Sequence, residues 1–342
     1  MKDTLDSGRL TNCETAPRDW VKILALYREP NRARSLFELA VTVIPFLMLW
    51  AAAWWALDVS RWLSLAIAVV NAAFLLRLFT IQHDCGHGSF FASRRMNDWV
   101  GRVLGVLTVT PYAVWRRTHA IHHGSAGNLD KRGIGDIVTL TVDQYNALSP
   151  LRRLQYRLYR SPVTLFVIAP FYIFLMQNRL PVGLSGRQYW ISAMGTNLAI
   201  LTVLGAIWFF GGWEPILLIF LPTTLVAATA GMWLFYVQHQ FEHTSWEFEP
   251  VWQLHDAALH GSSYYVLPPL LQWFSANIGI HHVHHLYSRI PFYRLPEVLR
   301  DHVELSTINR MTIRESLASA RLHLWDVRSA RLLSFAEARR VA

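Results

Sequence analysis

The sequence contains only two cysteines, Cys13 and Cys85, in 342 residues. They lie far apart in unlike surroundings, so no disulfide framework is implied, and the active part is expected to face a reducing compartment. Without paired cysteines, the ligands that close structural zinc sites are missing as well. Charge is scarce: 16% of residues are Asp, Glu, Lys or Arg, against 53% hydrophobic residues that include 15 Trp. That balance points away from a soluble globule and toward a membrane protein. The formal charge of +9 does not indicate nucleic-acid binding, because the cations flank apolar runs rather than gathering in one patch. Residues 1–35 are polar and charged throughout and lack the apolar core of a cleavable signal peptide, so the N-terminus is expected to be retained. No haem-binding or ferredoxin-like stretch is present, so any electrons must come from a separate protein.

Four apolar runs are long enough to cross about 30 Å of hydrocarbon: residues 36–57, 62–80, 190–210 and 215–237. Asp58 to Arg61 joins the first two, and Gly211 to Glu214 joins the last two, so the spans read as two tight hairpins. Two shorter runs, 100–114 with Pro111 inside it and 162–176, are expected to stay at the interface. If 162–176 crossed, the histidines that follow would emerge on the opposite face from those that precede it. The positive-inside rule supports four spans. Seven Lys or Arg fall in residues 1–35, thirteen in 81–189 and ten in 238–342, whereas the two outer loops hold Arg61 alone and Arg77 lies within a span. Residues 1–35 are expected to form a cytoplasmic tail with a short amphipathic helix on the lipid surface. Residues 36–300 are expected to form the membrane domain, and 301–342 a cytoplasmic helical segment.

Histidine carries the chemistry. Four imidazoles fall within His281-His282-Val283-His284-His285, and on a helix His281, His284 and His285 share one face while His282 points about 100° away. The same spacing occurs at His119-Ala120-Ile121-His122-His123, and His83-Asp84-Cys85-Gly86-His87 places two histidines one turn apart. Neutral imidazoles on one face cannot satisfy one another, since each needs both a donor and an acceptor partner. A bound transition metal resolves the conflict. Isolated histidines such as His255, His302 and His323 are read as ordinary core or surface residues. Eight histidines are too many for one four-coordinate ion, so two metals are the economical reading, and imidazole alone does not choose among Fe, Zn, Cu and Ni. A metalloprotease would place Glu directly after the first His of His-x-x-x-His; here Asp84 and Gln240 stand there. A membrane metal transporter would set its polar residues near the bilayer midplane, whereas each histidine box follows the end of a span.

The boxes resemble those of the membrane fatty acid desaturase superfamily, and more narrowly the bacterial acyl-lipid, methyl-end (Δ12 or omega-6) type. The likeness lies in His83 to Phe90, in Trp115 to His123 with Gly127 to Asp130, in Gln238-His239, in Gly261 to Tyr265 and in Asn277 to Leu286. It implies an all-α integral membrane protein of four transmembrane helices in two hairpins, with a cytoplasmic helical cap carrying a di-iron site. The implied ligands are His83, His87, His119, His122, His123, His281, His284 and His285, with a ninth at the end of the fourth span. His239 is taken for that role, with His243 and His260 as rivals. His282 would be supporting or structural. Asn277 would either hold a water on the metal or cap a helix. Asp84, Asp130, Asp136 and Glu242 are candidate acceptors for ligand N–H groups. Two iron ions and O2 would remove two hydrogens from adjacent methylenes of a membrane lipid acyl chain, giving a cis double bond. Electrons would come from ferredoxin or a related carrier with its reductase. The implied location is the bacterial inner membrane, with the boxes facing the cytoplasm. A hydroxylase of the same superfamily, acting on alkanes or carotenoids, would carry closely related boxes.

Overall fold

The computed structural model describes residues 17–341; residues 1–16, with Lys2, Arg9 and Cys13, and Ala342 lie outside them. The chain opens with a short helix α1 (Pro17–Leu24), followed by α2 (Arg32–Ala56) and α3 (Arg61–His87). Asn31 and Ser60 cap these two long helices by accepting from Arg34 and Leu63 backbone N–H groups, which satisfies donors that no helical turn can reach. A break at Thr108 to Pro111 separates α4 (Arg94–Leu107) from α5 (Tyr112–Ser125). The run 100–114 therefore bends instead of crossing.

Next come β1 (Leu140–Thr141), α6 (Val142–Asn146), α7 (Pro150–Tyr159) and α8 (Ala169–Leu175), and then the hairpin of α9 (Arg187–Gly211) and α10 (Leu221–His239). A π-helical turn, Ile216–Phe220, leads into α10. Among the described residues, four helices are long and apolar enough to cross a membrane: Arg32–Ala56, Arg61–His87, Arg187–Gly211 and Ile216–His239. A fifth crossing would require Pro150–Tyr159 and Thr164–Arg179, bent by 53°, to act as one span. The histidines argue against that. Those at the ends of α3, α5 and α10 meet in space, and Ala113 of α5 donates to Ser192 near the start of α9 at 3.1 Å, so the chain enters α9 beside α5. Burial separates the helices by role. Half of the apolar window of α3 is buried inside the protein, against 6% of that of α9. α3 is the pillar against which α2, α4 and α10 pack, and α9 leaves most of its side chains outside the protein interior.

The remainder folds over one end of this bundle as α11 (Leu254–His260), β2 (Tyr264–Val266), α12 (Pro269–Phe274), α13 (His281–Leu286), α14 (Leu295–Asp301), β3 (Arg310–Thr312), α15 (Ile313–Ser319), β4 (Leu324–Asp326), β5 (Arg331–Leu333) and α16 (Phe335–Val341). Two expectations change here. Residues 301–342 are not simply helical: β3 pairs with β2, and β4 sits between β1 and β5. These strands of two or three residues are too short for any alternation of side chains to mark them. The N-terminal helix, expected on the lipid surface, packs one face on the protein core. Trp20 and Leu24 are buried in the main core with Val298 and Leu305, and Tyr27 donates to Asp301 at 2.9 Å. Trp20 and Leu24 of the apolar stripe of α1 are thus covered by protein.

Arg77, the cation expected inside a span, is buried and forms an ion pair with Glu38 of α2. Its guanidinium also lies 4.0 Å from the Trp273 ring centroid and 5.1 Å from that of Phe292. A charge in hydrocarbon is tolerated when it is paired in this way.

Candidate metal centre

Each box sits at the end of a helix for a local reason. α3 runs on past the apolar stretch so that His83 and His87 occupy its last turns, and it stops at Gly88, whose φ of 73° suits a residue without Cβ. Gly86, between the two histidines, is required by packing: a Cβ there would come within 2.7 Å of the Trp115 ring. Trp115 in turn stacks on His119 with ring centroids 4.6 Å apart. α5 carries His119, His122 and His123 in its last two turns. His239 is the last residue of α10. The third box forms its own short helix, α13, in which His281, His282, His284 and His285 are all buried. Its approach is fixed by β2, since Tyr265 N donates to Gly279 O at 2.7 Å and a Cβ on Gly279 would fall 2.4 Å from the Tyr265 carbonyl oxygen.

Nine imidazoles converge in two groups whose ligand atoms lie within 4.8 Å of one another: His83, His87, His119, His123 and His284 in one, and His122, His239, His281 and His285 in the other. Within the first group, Nε2 atoms approach at 3.3 Å (His83 and His87), 3.0 Å (His87 and His119), 3.1 Å (His119 and His123) and 3.2 Å (His123 and His284). In the second, His239 Nε2 lies 3.1 Å from those of His122 and His281. The groups touch where the rings of His123 and His285 stack 4.0 Å apart.

The outward nitrogens decide what these close approaches mean. His83 Nδ1 donates to Asp84 at 3.2 Å, His122 Nδ1 to Asp136 at 2.6 Å and His239 Nδ1 to the Gly261 carbonyl at 3.2 Å. With the single proton of each neutral ring held outward, Nε2 presents a lone pair to the centre. Lone pairs facing one another at such distances repel, and His285 Nε2 is buried with no partner. Burial, reinforced by the neighbouring imidazoles, holds His119, His123, His281, His284 and His285 well below the ordinary histidine range, so protonation does not relieve the conflict. A cation does. Metal–imidazole bonds of about 2.1 Å set neighbouring ligand atoms about 3.0 Å apart around an octahedral ion and about 3.4 Å apart around a tetrahedral one, which brackets the spacings found. The residues present therefore fit two metal ions.

The sequence-derived candidates divide cleanly. His239 joins the second group, whereas His243 and His260 are exposed. His282 turns away and donates to the Leu305 carbonyl at 2.8 Å. Asp84 and Asp136 each meet an imidazole of the groups, and Asp84 also accepts from Phe292 N at 2.7 Å. Asp130 instead accepts from Glu249 N at 2.9 Å, and Glu242 pairs with Arg331 at 2.9 Å. Asn277 adopts φ 55° and donates to the Phe292 carbonyl at 3.1 Å, which makes it a loop-shaping residue. Sequence reasoning did not assign the Gly261 carbonyl that orients His239, because a backbone acceptor leaves no mark in side-chain spacing. A cleft lined by Arg132, Asp136, His239 and Gln240 opens beside the second group.

Comparison with known proteins follows the same lines. The profile described as fatty acid desaturase matches residues 60–316. A fatty acid desaturase of Bacillus subtilis is 44% identical over 314 residues, covering 92% of this chain and 89% of that protein. An sn-1 oleoyl-lipid 12-desaturase of Anabaena variabilis is 24% identical over 328 residues, 86% of this chain and 84% of that one. An sn-1 acyl-lipid omega-3 desaturase (ferredoxin) of Synechocystis sp. is 25% identical over 243 residues, 66% of this chain and 64% of that one.

Proposed function

Because the chain belongs to the fatty acid desaturase family, a class of membrane oxidoreductases, we propose that its nine clustered histidines hold two iron ions and that it desaturates the acyl chains of membrane lipids with O2. The observation that carries this reading is the convergence of nine imidazole nitrogens in two adjoining groups. His83, His87, His119, His123 and His284 hold one ion; His122, His239, His281 and His285 hold the other. Iron so held would, with O2, two electrons from a donor and two protons from solvent, supply the oxidising power to remove two hydrogens from adjacent methylenes, leaving a cis double bond and two waters. The protein's own part is to keep each imidazole neutral and aimed. Asp84, Asp136 and the Gly261 carbonyl fix the tautomer of His83, His122 and His239, and the buried α13 helix keeps bulk water from its four histidines.

The Δ12-like position is favoured by the oleoyl-lipid 12-desaturase among the relatives, and a ferredoxin-type donor by the relative whose name carries ferredoxin. The distribution of Lys and Arg favours the inner membrane with the histidines facing the cytoplasm. The boundaries at 35 and 300 remain part of this proposal: a tail, a membrane domain and a C-terminal segment over the site. The test is gas chromatography with mass spectrometry of fatty acids from aerobic cells expressing the intact chain beside His281→Ala at equal level, with oleate and a competent donor present. A new cis-unsaturated acid that vanishes with the variant supports the proposal and fixes the bond position. Hydroxy acids in its place would overturn desaturation in favour of hydroxylation, and an unchanged profile would overturn the proposed substrate.

A further inference from the structure

Among the described residues two arginines are fully buried, and they are treated differently. Arg77 has an acid; Arg160 does not. Arg160 ends α7 at the bend toward α8, and its side chain is completely enclosed. Its Nη1 donates to Thr139 Oγ1 at 2.9 Å and to the Val138 carbonyl at 3.4 Å. Its Nη2 donates to Gln240 Oε1 at 2.8 Å, to the Leu322 carbonyl at 2.9 Å and to Tyr236 Oη at 3.4 Å. None of these acceptors is a carboxylate, and Nε is left without a partner. Burying a guanidinium among neutral dipoles costs several kcal/mol that no counter-ion returns, so this is a poor way to stabilise a fold.

What the guanidinium joins is specific. Gln240 directly follows His239 and caps α10, so holding its side chain holds the helix end that presents the imidazole. Thr139 Oγ1 also donates to Gln240 Oε1 at 3.2 Å. Val138 and Thr139 lie two and three residues after Asp136, the residue that accepts from His122 Nδ1 at 2.6 Å. Tyr236, one turn before Gln240, donates to the Ser319 and Leu322 carbonyls at 2.9 and 3.0 Å, which ties the C-terminal segment into the same knot. His122 and His239 both belong to the four-histidine group. No partner of Arg160 is itself bonded to a histidine of either group; the link runs along the chain, from Gln240 to His239 and from Val138 and Thr139 back to Asp136.

We infer that Arg160 is the positioning residue of the four-histidine group: its guanidinium clamps the Asp136 stretch to the end of α10, and so fixes His122 and His239 at the spacing one metal ion requires. This inference rests on the two-metal reading of the site. A neutral side chain could not span five acceptors on three separate segments, and an ion-paired arginine would give up donors to its acid.

The test uses the full chain in lipid nanodiscs, stripped of metal and titrated anaerobically with ferrous iron, with bound iron per chain counted by mass spectrometry and the melting temperature of the metal-free form recorded beside it. Wild type is expected to hold two ions. Arg160→Gln is expected to hold one tightly and to lose affinity for the other by about 10- to 100-fold, the usual effect of removing an outer support of a metal ligand. In that background His87→Ala should release the remaining ion, whereas His281→Ala should not. Arg160→Lys should recover part of the lost affinity, and Thr139→Val should show a smaller loss of the same kind. Two ions held with wild-type affinity by Arg160→Gln, or by Arg160→Lys should the first variant not accumulate, would overturn the inference. So would parallel loss of both ions together with a fall in melting temperature, since that is what a residue of purely structural importance would give. Wild type that holds no iron would instead remove the two-metal reading on which the inference stands.

Discussion

The five-histidine and four-histidine groups adjoin, yet they are held in place by different means. In the five-membered group the helices do most of the work. His83 and His87 stand one turn apart on α3, His119 and His123 one turn apart on α5, and Trp115 wedges between the two helices over Gly86. Only His83 has an outward hydrogen bond to a carboxylate. In the four-membered group no two ligands are neighbours on α5 or α10. His122 comes from α5, His239 from the tip of α10, and His281 and His285 from α13. His281 and His285 keep a one-turn spacing, but for His122 and His239 long-range contacts stand in for it: Asp136 on His122, the Gly261 carbonyl on His239 and, behind both, Arg160. The lesson is that helical spacing on two packed helices sets four of the five ligands of one group, with His284 arriving from α13, whereas the other takes two of its four singly from α5 and α10 and needs outer contacts to aim them.

The hardest test of that comparison removes one ligand from each group. His284→Ala and His281→Ala should each abolish product formation, a loss beyond the 10- to 100-fold expected of outer supports, and each should lower the iron count from two to one per chain. Product analysis and metal counting on equal amounts of membrane protein check both points. Substantial activity in either variant would mean that the groups do not act as one centre. A step down in size come the carboxylates. Asp136→Asn and Asp84→Asn should each weaken iron binding by about 10- to 100-fold. Asp136→Asn should do so only in the four-histidine group and Asp84→Asn only in the five-histidine group, read from titrations in which a ligand of the other group is already Ala. If either variant weakened both groups equally, the distinction between them would fail.

Acidification probes both groups at once. The histidines on α5 and α13, namely His119, His123, His281, His284 and His285, are held well below the ordinary range in the folded metal-free protein, first by burial and then by one another. In the unfolded chain they titrate near about 6.5. As pH falls through that value the unfolded state binds more protons than the folded one, so stability is lost with falling pH. The metal-free protein should be most stable above about pH 6.5 and should melt at progressively lower temperature between there and about pH 5, followed by thermal unfolding in nanodiscs. A flat profile would mean that these rings are hydrated.

The same contrast explains what could be read from the sequence. Eight of the nine clustered histidines announce themselves by i, i+3 or i+4 spacing, because a helix converts that spacing into a shared face. His239 has no such partner at ligand spacing in its group and was legible only from its place at the end of an apolar run. The four spans, their pairing in hairpins and the bending of 100–114 follow from run length and proline, properties that survive in one dimension. Arg160 and the Gly261 carbonyl act across separations of about 20 residues to more than 160, and no local pattern encodes such contacts. The docking of α1 onto the C-terminal core was hidden for a similar reason. An amphipathic stripe tells that a helix must cover something apolar, but not whether that surface is lipid or protein.

The smallest expected effects belong to two acids that sequence position alone could not separate from Asp84 and Asp136. Asp130 and Glu242 lie near the histidine boxes in the chain, as the others do, but both are exposed, and their hydrogen bonds go to Glu249 N and to Arg331. An exposed ion pair such as that of Glu242 contributes about 0 to 1 kcal/mol, and neither acid touches an imidazole of the groups. Asp130→Asn and Glu242→Gln should therefore leave the iron count at two per chain and change product formation by less than about twofold, on the logic that outer supports act through the ligand they hold. Metal counting beside product analysis separates the cases. A loss of one ion in Glu242→Gln would mean that the link from Glu242 through Arg331 to the C-terminal strands reaches the four-histidine group, and would extend the reliance of that group on distant docking beyond the contacts of Arg160. The same loss in Asp130→Asn would instead implicate the turn at Asn128, where α5 hands the chain on from His122 and His123.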